Sequence, residues 1–250
     1  MSFPLASHGY QPRCFALVPC AGVGERAGVG GPKQYHPVAG QAVVAHTLGA
    51  LRAVPRLAAT LVVLSPDDTL FEQHAPAFVG EDAWVARVGG ASRAESVANG
   101  LLELLARGAQ PHDWVLVHDA ARCLLRPEWV SRLIAACEDD EVGGLLALPL
   151  ADTLKAAAAG ADGEARAHQT VDRTAKWAAQ TPQMFRLGLL QPALTAALSD
   201  PVTAAAVTDE ASAIEMLGHA PRLVAGDFEN IKLTWPGDFS LAERLLATRP

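Results

Sequence analysis

The chain has 250 residues, half of them hydrophobic and 19% charged, which excludes intrinsic disorder and suits one large domain or two small ones. At this length a fold buries roughly 70–75% of its unfolded surface, so no disulfide or metal is needed as a staple. The 20 Lys and Arg against 27 Asp and Glu leave a net charge of −7, which excludes a general attraction to nucleic acid or an acidic membrane.

The longest apolar stretch, around residues 142–151, is about half of what a bilayer crossing needs. The opening residues lack the basic start and apolar run of a signal peptide, so a cytoplasmic protein is the expectation. Cys14, Cys20, Cys123 and Cys137 form no C-x-x-C pair, and no histidine completes a zinc spacing, so they read as reduced structural cysteines.

Taken in chain order, a flexible tail over 1–12 precedes a short buried strand at 14–19. Apolar residues at helical spacing predict a helix over 41–53, and the β-branched run at 60–65 predicts a strand, with Asp67 or Asp68 capping the next helix. A strand at 84–88 and a helix over 93–107 follow, then a strand at 113–118. Pro127 opens a helix to residue 137, and 143–150 is a glycine-led strand. This alternation predicts an α/β layer with a mainly parallel sheet.

Residues 151–179 break the rhythm, because no large apolar side chain lies between Leu154 and Val171. Local propensity favours a short alanine helix from Asp152, ended by Gly160; a loop or a protruding arm is the alternative. Beyond it come helices over 187–199 and 209–217, strands at 222–225 and 231–234, and a final helix over 236–247. With no repeat and no low-complexity linker, the economical organisation is one domain, 1–250, with an insertion at 151–179.

The strongest chemical signal follows the first strand: Pro19-Cys20-Ala21-Gly22-Val23-Gly24-Glu25-Arg26, then Pro32-Lys33-Gln34-Tyr35. Small residues let backbone N–H groups approach a phosphate and form an anion nest. Arg26 and Lys33 add two cations suited to neutralising a triphosphate and stabilising charge on a phosphorus undergoing displacement. The segment also fits the relaxed dinucleotide fingerprint G-x-G-x-x-A, but no acidic residue occurs between Glu25 and Asp67 to hold a ribose. A P-loop is excluded, since no Gly-Lys-Ser/Thr follows the glycines. A glycine-rich turn with no ligand is the plain alternative.

Two further segments lie where a strand ends. Gly89-Gly90-Ala91-Ser92-Arg93-Ala94-Glu95-Ser96 offers backbone groups and a hydroxyl for reading a base or ribose, although Ser92 also reads as a plain N-cap. His118-Asp119-Ala120-Ala121-Arg122 places an acid where open parallel sheets bind ligands, fit for a metal or a substrate hydroxyl, or for a local pair with Arg122. Clusters around Thr153, Arg173, Thr181, Thr208 and Lys232 read singly as caps and solvated loops.

In order and spacing these motifs resemble the 2-C-methyl-D-erythritol 4-phosphate cytidylyltransferases, from about Phe15 to the last helix. The resemblance implies a Rossmann-like three-layer nucleotidyltransferase sandwich with a protruding β-arm that hooks around its partner in a homodimer. It implies transfer of the cytidylyl group of CTP to methylerythritol phosphate with release of pyrophosphate and with Mg²⁺ or another divalent cation, held mainly by the CTP phosphates. On this pattern Ala21, Gly22, Arg26 and Lys33 match the CTP phosphate loop, and Gly90 and Ser96 the part that reads cytosine. Asp119 and Arg122 match the block flanking nucleotide and acceptor. Thr153 and Arg173 lie in the arm and reach the neighbouring subunit's substrate, while Thr181, Thr208 and Lys232 match the wall near the reacting phosphate. The chain departs from a common version of the pattern at Cys20, where alanine is frequent, and at Ala91, where an aspartate occurs. The acceptor's phosphate is largely ionised at neutral pH, so the chemistry needs no general base. Other readings are a cytidylyltransferase acting on ribitol 5-phosphate, a non-catalytic nucleotide-binding module, and a dinucleotide oxidoreductase.

Overall fold

The computed structural model describes residues 10–22, 24, 27–28, 30–160 and 162–249. Strand β1 (Cys14–Pro19) is an interior strand of a seven-stranded sheet. A small hairpin, β2 (Pro37–Val38) and β3 (Gln41–Ala42), leads into α1 (Val43–Arg52) and then β4 (Leu57–Val63). The short α2 (Phe71–His74) starts where the Asp68 carboxylate accepts from the backbone N–H groups of Leu70 and Phe71, so the expected aspartate serves its start. Then come β5 (Ala83–Ala86), α3 (Arg93–Ala106), β6 (Trp114–Val117), α4 (Pro127–Cys137) and β7 (Gly143–Pro149). A separate hairpin, β8 (Leu154–Ala159) and β9 (Ala165–Val171), precedes β10 (Trp177–Arg186). Helices α5 (Leu187–Leu198), α6 (Pro201–Ala206) and α7 (Glu210–Met216), strand β11 (Arg222–Ala225) and helix α8 (Pro236–Ala247) complete the chain.

The sheet order is β11-β7-β10-β6-β1-β4-β5, with only β10 antiparallel to its neighbours. Strand alternation divides the core. Cys14, Ala16 and Val18 of β1, with Trp114 and Leu116 of β6, face the layer of α1 and α4. Phe15, Leu17, Val115 and Val117 face the layer of α3, α5 and α7. The result is the expected three-layer α/β architecture. A smaller apolar cluster, including Leu124, Leu233 and Phe239, seats α8.

Three expectations differ from what is found. The stretch expected as an alanine helix from Asp152 is strand β8 over Leu154–Ala159, not helix. Alanine's helix preference amounts to a few tenths of a kcal/mol per residue, and cross-strand pairing from Leu154↔Val171 to Ala159↔Ala165 overrides it. Gly163, with φ at +79°, closes the turn, and the Lys155 ammonium donates to Thr170 Oγ1 across the pair at 2.6 Å. Among the described residues this hairpin pairs with no other strand, and most of its residues are exposed. Residues 231–234 form no strand, because their backbone groups bond across loops rather than along a ladder. Strand β10 runs through a segment that reads as loop, since Pro182 and the polar Gln180, Thr181 and Gln183 mask it. The register shifts between Ala179 and Gln183, where the proline sits. Among the described residues no helix is long and apolar enough to cross a membrane.

Candidate active site

The carboxyl ends of β1 and β6 open into a cleft of about 450 Å³. Ala21, Gly22, Lys33, Gly90, Ser96, Asp119 and Lys232, drawn from widely separated parts of the sequence, line it together. Arg26 lies outside the described residues.

The glycine loop is held from beneath. Cys20 N–H donates to Val63 O at 2.8 Å, and Gln34 Nε2 donates to Cys20 O at 3.1 Å. Gly24 has φ at +67°, and a Cβ there would stand 2.6 Å from Lys33 Cγ, so only glycine lets the loop wrap the lysine stem. The Lys33 ammonium donates to Leu233 O at 2.7 Å.

The second loop touches the first: a Cβ on Gly89 would lie 2.5 Å from Ala21 Cβ. Ser92 is the N-cap of α3, accepting from Glu95 N–H. The Ser96 hydroxyl donates to Ser92 O at 2.9 Å and accepts from Gly90 N–H at 3.1 Å, so it braces the turn from a buried position. The Ala91 N–H donates to Glu95 Oε2 at 2.7 Å, which orders the backbone at the position lacking an acidic side chain.

Asp119, 7% exposed, is the hub of the charges. Arg93 Nε donates to its Oδ1 at 2.8 Å, Lys232 Nζ lies 2.9 Å from Oδ2, and Arg122 Nε is 3.7 Å from Oδ2. Burial alone would raise its pKa, but Arg93, Lys232 and Arg122 hold the carboxyl well below the usual carboxylate range. Arg122 is buried and donates to Asn230 O at 2.5 Å, tying the loop after β6 to the loop that carries Lys232. Leu233 N–H donates to Ala121 O at 2.9 Å in the same seam. Lys232 therefore reaches the cleft from a cross-braced loop.

Thr181, 4% exposed, spends its hydroxyl internally. It accepts from Asp119 N–H at 3.1 Å and contacts His118 Nδ1 at 3.0 Å. Burial pushes the His118 pKa down to about 4, so the imidazole is neutral at pH 7. The threonine hydroxyl then donates to Nδ1, and Nε2–H faces Arg122 O at 3.3 Å.

Thr208 is exposed and lines a smaller adjoining hollow of about 100 Å³ that shares Ser92 and Arg93 with the main cleft. Thr153 and Arg173 are exposed residues flanking the β8–β9 hairpin and are not among those lining the cleft. Two residues of the charge network are not singled out by spacing. Arg93 reads as the start of a helix, and Glu210 as the acidic first turn expected of α7. The cysteines are all free and buried, and burial raises the thiol pKa of each, to about 11 at Cys14, Cys123 and Cys137. Such thiols are poor nucleophiles. Among the described residues no group of three or more His, Cys, Asp or Glu is placed to hold a metal.

Residues 14–248 match the family model described as IspD: 2-C-methyl-D-erythritol 4-phosphate cytidylyltransferase. The chain is 54% identical over 236 residues to the 2-C-methyl-D-erythritol 4-phosphate cytidylyltransferase of Burkholderia multivorans, covering 94% of this chain and 97% of that one. It is 55% identical over 238 residues to the bifunctional enzyme IspD/IspF of Albidiferax ferrireducens, where the match covers 95% of this chain and 54% of the relative. The chain thus spans about half the length of that bifunctional protein. Among solved structures, a crystal structure of 4-diphosphocytidyl-2C-methyl-D-erythritol synthase superposes with a TM-score of 0.80 at 41% identity, covering 95% of this chain and 100% of that one. The 2-C-methyl-D-erythritol 4-phosphate cytidylyltransferase of Thermus thermophilus gives 0.72 at 32% identity, covering 94% and 100%. The chain belongs to the 2-C-methyl-D-erythritol 4-phosphate cytidylyltransferase family.

Proposed function

We propose that this chain transfers the cytidylyl group of CTP to 2-C-methyl-D-erythritol 4-phosphate, releasing pyrophosphate, by direct in-line attack of the acceptor phosphate on the α-phosphorus. The observation that carries the reading is the convergence of Lys33, Lys232 and Asp119 with the Ala21–Gly22 backbone and Gly90 on one cleft. A phosphate oxygen is the nucleophile, and it is already largely ionised at neutral pH. The barrier lies in bringing two anions together and in the charge that builds at phosphorus, so positioning and preorganised cations are the means of catalysis.

In this reading Lys33, Lys232 and Arg26 stabilise the charge on the transferring phosphorus. Ala21, Gly22, Gly90 and Ser96 shape the CTP pocket. Arg122 flanks the nucleotide, and Asp119, Thr181 and Thr208 form the wall toward the acceptor. Arg122, Ser96 and Thr181 act largely by holding backbone in place, since their side chains bond within the protein. Asp119 is the one carboxylate among the described lining residues, and both its oxygens face cations. With those oxygens taken by Arg93 and Lys232, a Mg²⁺ here would draw its ligands from the triphosphate oxygens and water rather than from a side chain. When bound, the metal supplies further charge neutralisation on the phosphates.

The exposed β8–β9 hairpin, paired with no other strand among the described residues, supports a homodimer in which Thr153 and Arg173 serve the neighbouring subunit's acceptor site. Pyrophosphate release with CTP, assayed with methylerythritol phosphate and with ribitol 5-phosphate, tests the function. Turnover with the first acceptor supports the reading. Turnover confined to the second, or with neither, refutes it.

A further inference from the structure

The cleft cations do not stand alone. Behind them runs an alternating chain of charge, Glu210–Arg93–Asp119–Lys232. Glu210, 1% exposed at the first turn of α7, spends both carboxylate oxygens on Arg93, at 2.7 Å to Nη1 and 3.2 Å to Nη2. The third guanidinium nitrogen, Nε, donates to Asp119 Oδ1 at 2.8 Å. Because the guanidinium is planar and rigid, fixing two nitrogens fixes the third. Asp119 Oδ2 is thereby turned to the Lys232 ammonium at 2.9 Å. Lys232 is otherwise a flexible side chain at a partly open position.

The carboxylate of Glu210 has no helix-capping task, because Asp209 and Ser212 already form the capping box of α7. A buried ion pair is also seldom a net stabiliser against well-packed apolar residues. What the pair does fix is the orientation of Arg93, and with it the face that Arg93 turns to Asp119.

We propose that Glu210 is a positioning residue of the cytidylyl transfer: by clamping Arg93 it orients Asp119, and through Asp119 it holds the Lys232 ammonium on the reacting phosphate. The inference rests on the cytidylyltransferase reading given above. Glu210 acts through the chain and not on CTP, so its loss lowers kcat and leaves the KM for CTP nearly unchanged.

The test is a double-mutant cycle read as pyrophosphate release. Glu210→Gln is expected to lower kcat about tenfold in the wild-type background, with KM for CTP within about twofold. In a Lys232→Ala background the same change costs less than twofold, because the group being positioned is already gone. Equal losses in the two backgrounds, or unchanged kcat in Glu210→Gln alone, overturn the proposal. If thermal unfolding shows that Glu210→Gln does not fold, Glu210→Asp is put through the same cycle, since it keeps the charge but falls a methylene short of the two-pronged grip. Failure of both to fold makes Glu210 a structural residue and also overturns it. A wild-type chain without turnover refutes the underlying function instead, so the two failures are distinguishable.

Discussion

Replacing Lys33 by methionine separates charge from packing. Methionine keeps an unbranched stem of similar length inside the wrap of Gly24, where the backbone lies against Lys33 Cγ and Cδ. What is removed is the ammonium, which donates to Leu233 O at 2.7 Å and stands in the cleft lining. Loss of that charge-assisted bond costs about 1.5 kcal/mol of stability, a fall of roughly 3–6 °C in Tm for a domain of this size. If the ammonium stabilises the α-phosphorus during transfer, turnover falls far more, by about 10²–10³-fold, or roughly 2.7–4 kcal/mol of transition-state stabilisation. The assay is pyrophosphate release at saturating CTP and methylerythritol phosphate, with thermal unfolding measured on the same preparations. A folded Lys33→Met with near wild-type turnover refutes the role. A loss confined to the KM for CTP reassigns Lys33 to ground-state binding.

Two further outcomes follow from the proposed dimer and from the buried histidine. Lys33→Met and Arg173→Ala homodimers should each turn over poorly, while mixed heterodimers regain activity because one site then has both residues intact. No recovery in verified heterodimers places Arg173 at its own subunit's site or makes it structural. His118 holds its imidazole pKa at about 4 through burial, against about 6.5 when unfolded, so the unfolded chain takes up the proton first as pH falls. Stability should therefore drop by roughly 3 kcal/mol between pH 6.5 and 4 from this one group, and this contribution levels off below pH 4. Urea unfolding at pH 7 and 4.5 should show a steeper loss in the wild type than in His118→Asn, and equal slopes would exclude this account.

How far the sequence reveals this molecule depends on how local the responsible forces are. β1 and α4 are legible to the residue, because a compact apolar run and a proline at the first helical position are local signals. Strand β8 is not, since its alanines choose extended backbone only when β9 lies opposite. β10 is hidden for a related reason. Its polar residues are buried against other loops, with Gln183 Nε2 donating to Asp209 Oδ2 at 2.8 Å and its Oε1 accepting from Ala211 N–H at 2.8 Å. A polar, proline-bearing segment looks like a loop until those partners are in place.

The site divides along the same line. Ala21, Gly22, Lys33, Gly90, Asp119 and Lys232 stand in motifs, and the fold brings all of them to one cleft. Ser96 and Thr181 match the motifs too, but their hydroxyls hold loops in place. The link from Glu210 to Arg93 spans 117 residues and leaves no trace in spacing. Yet it answers a problem that the motifs alone raise. Arg93, Arg122 and Lys232 gathered around one point would repel one another before any phosphate arrived, and the less buried Arg93 and Lys232 would be free to swing toward water. Asp119 and Glu210 alternate with these cations and offset that repulsion. Charge stabilisation accelerates a reaction only where the charges are in place beforehand, since groups that must reorganise spend their advantage in doing so. In a chain of net charge −7, two buried carboxylates offset the cations gathered at this cleft, and the transfer proposed above draws on them as well as on the lysines.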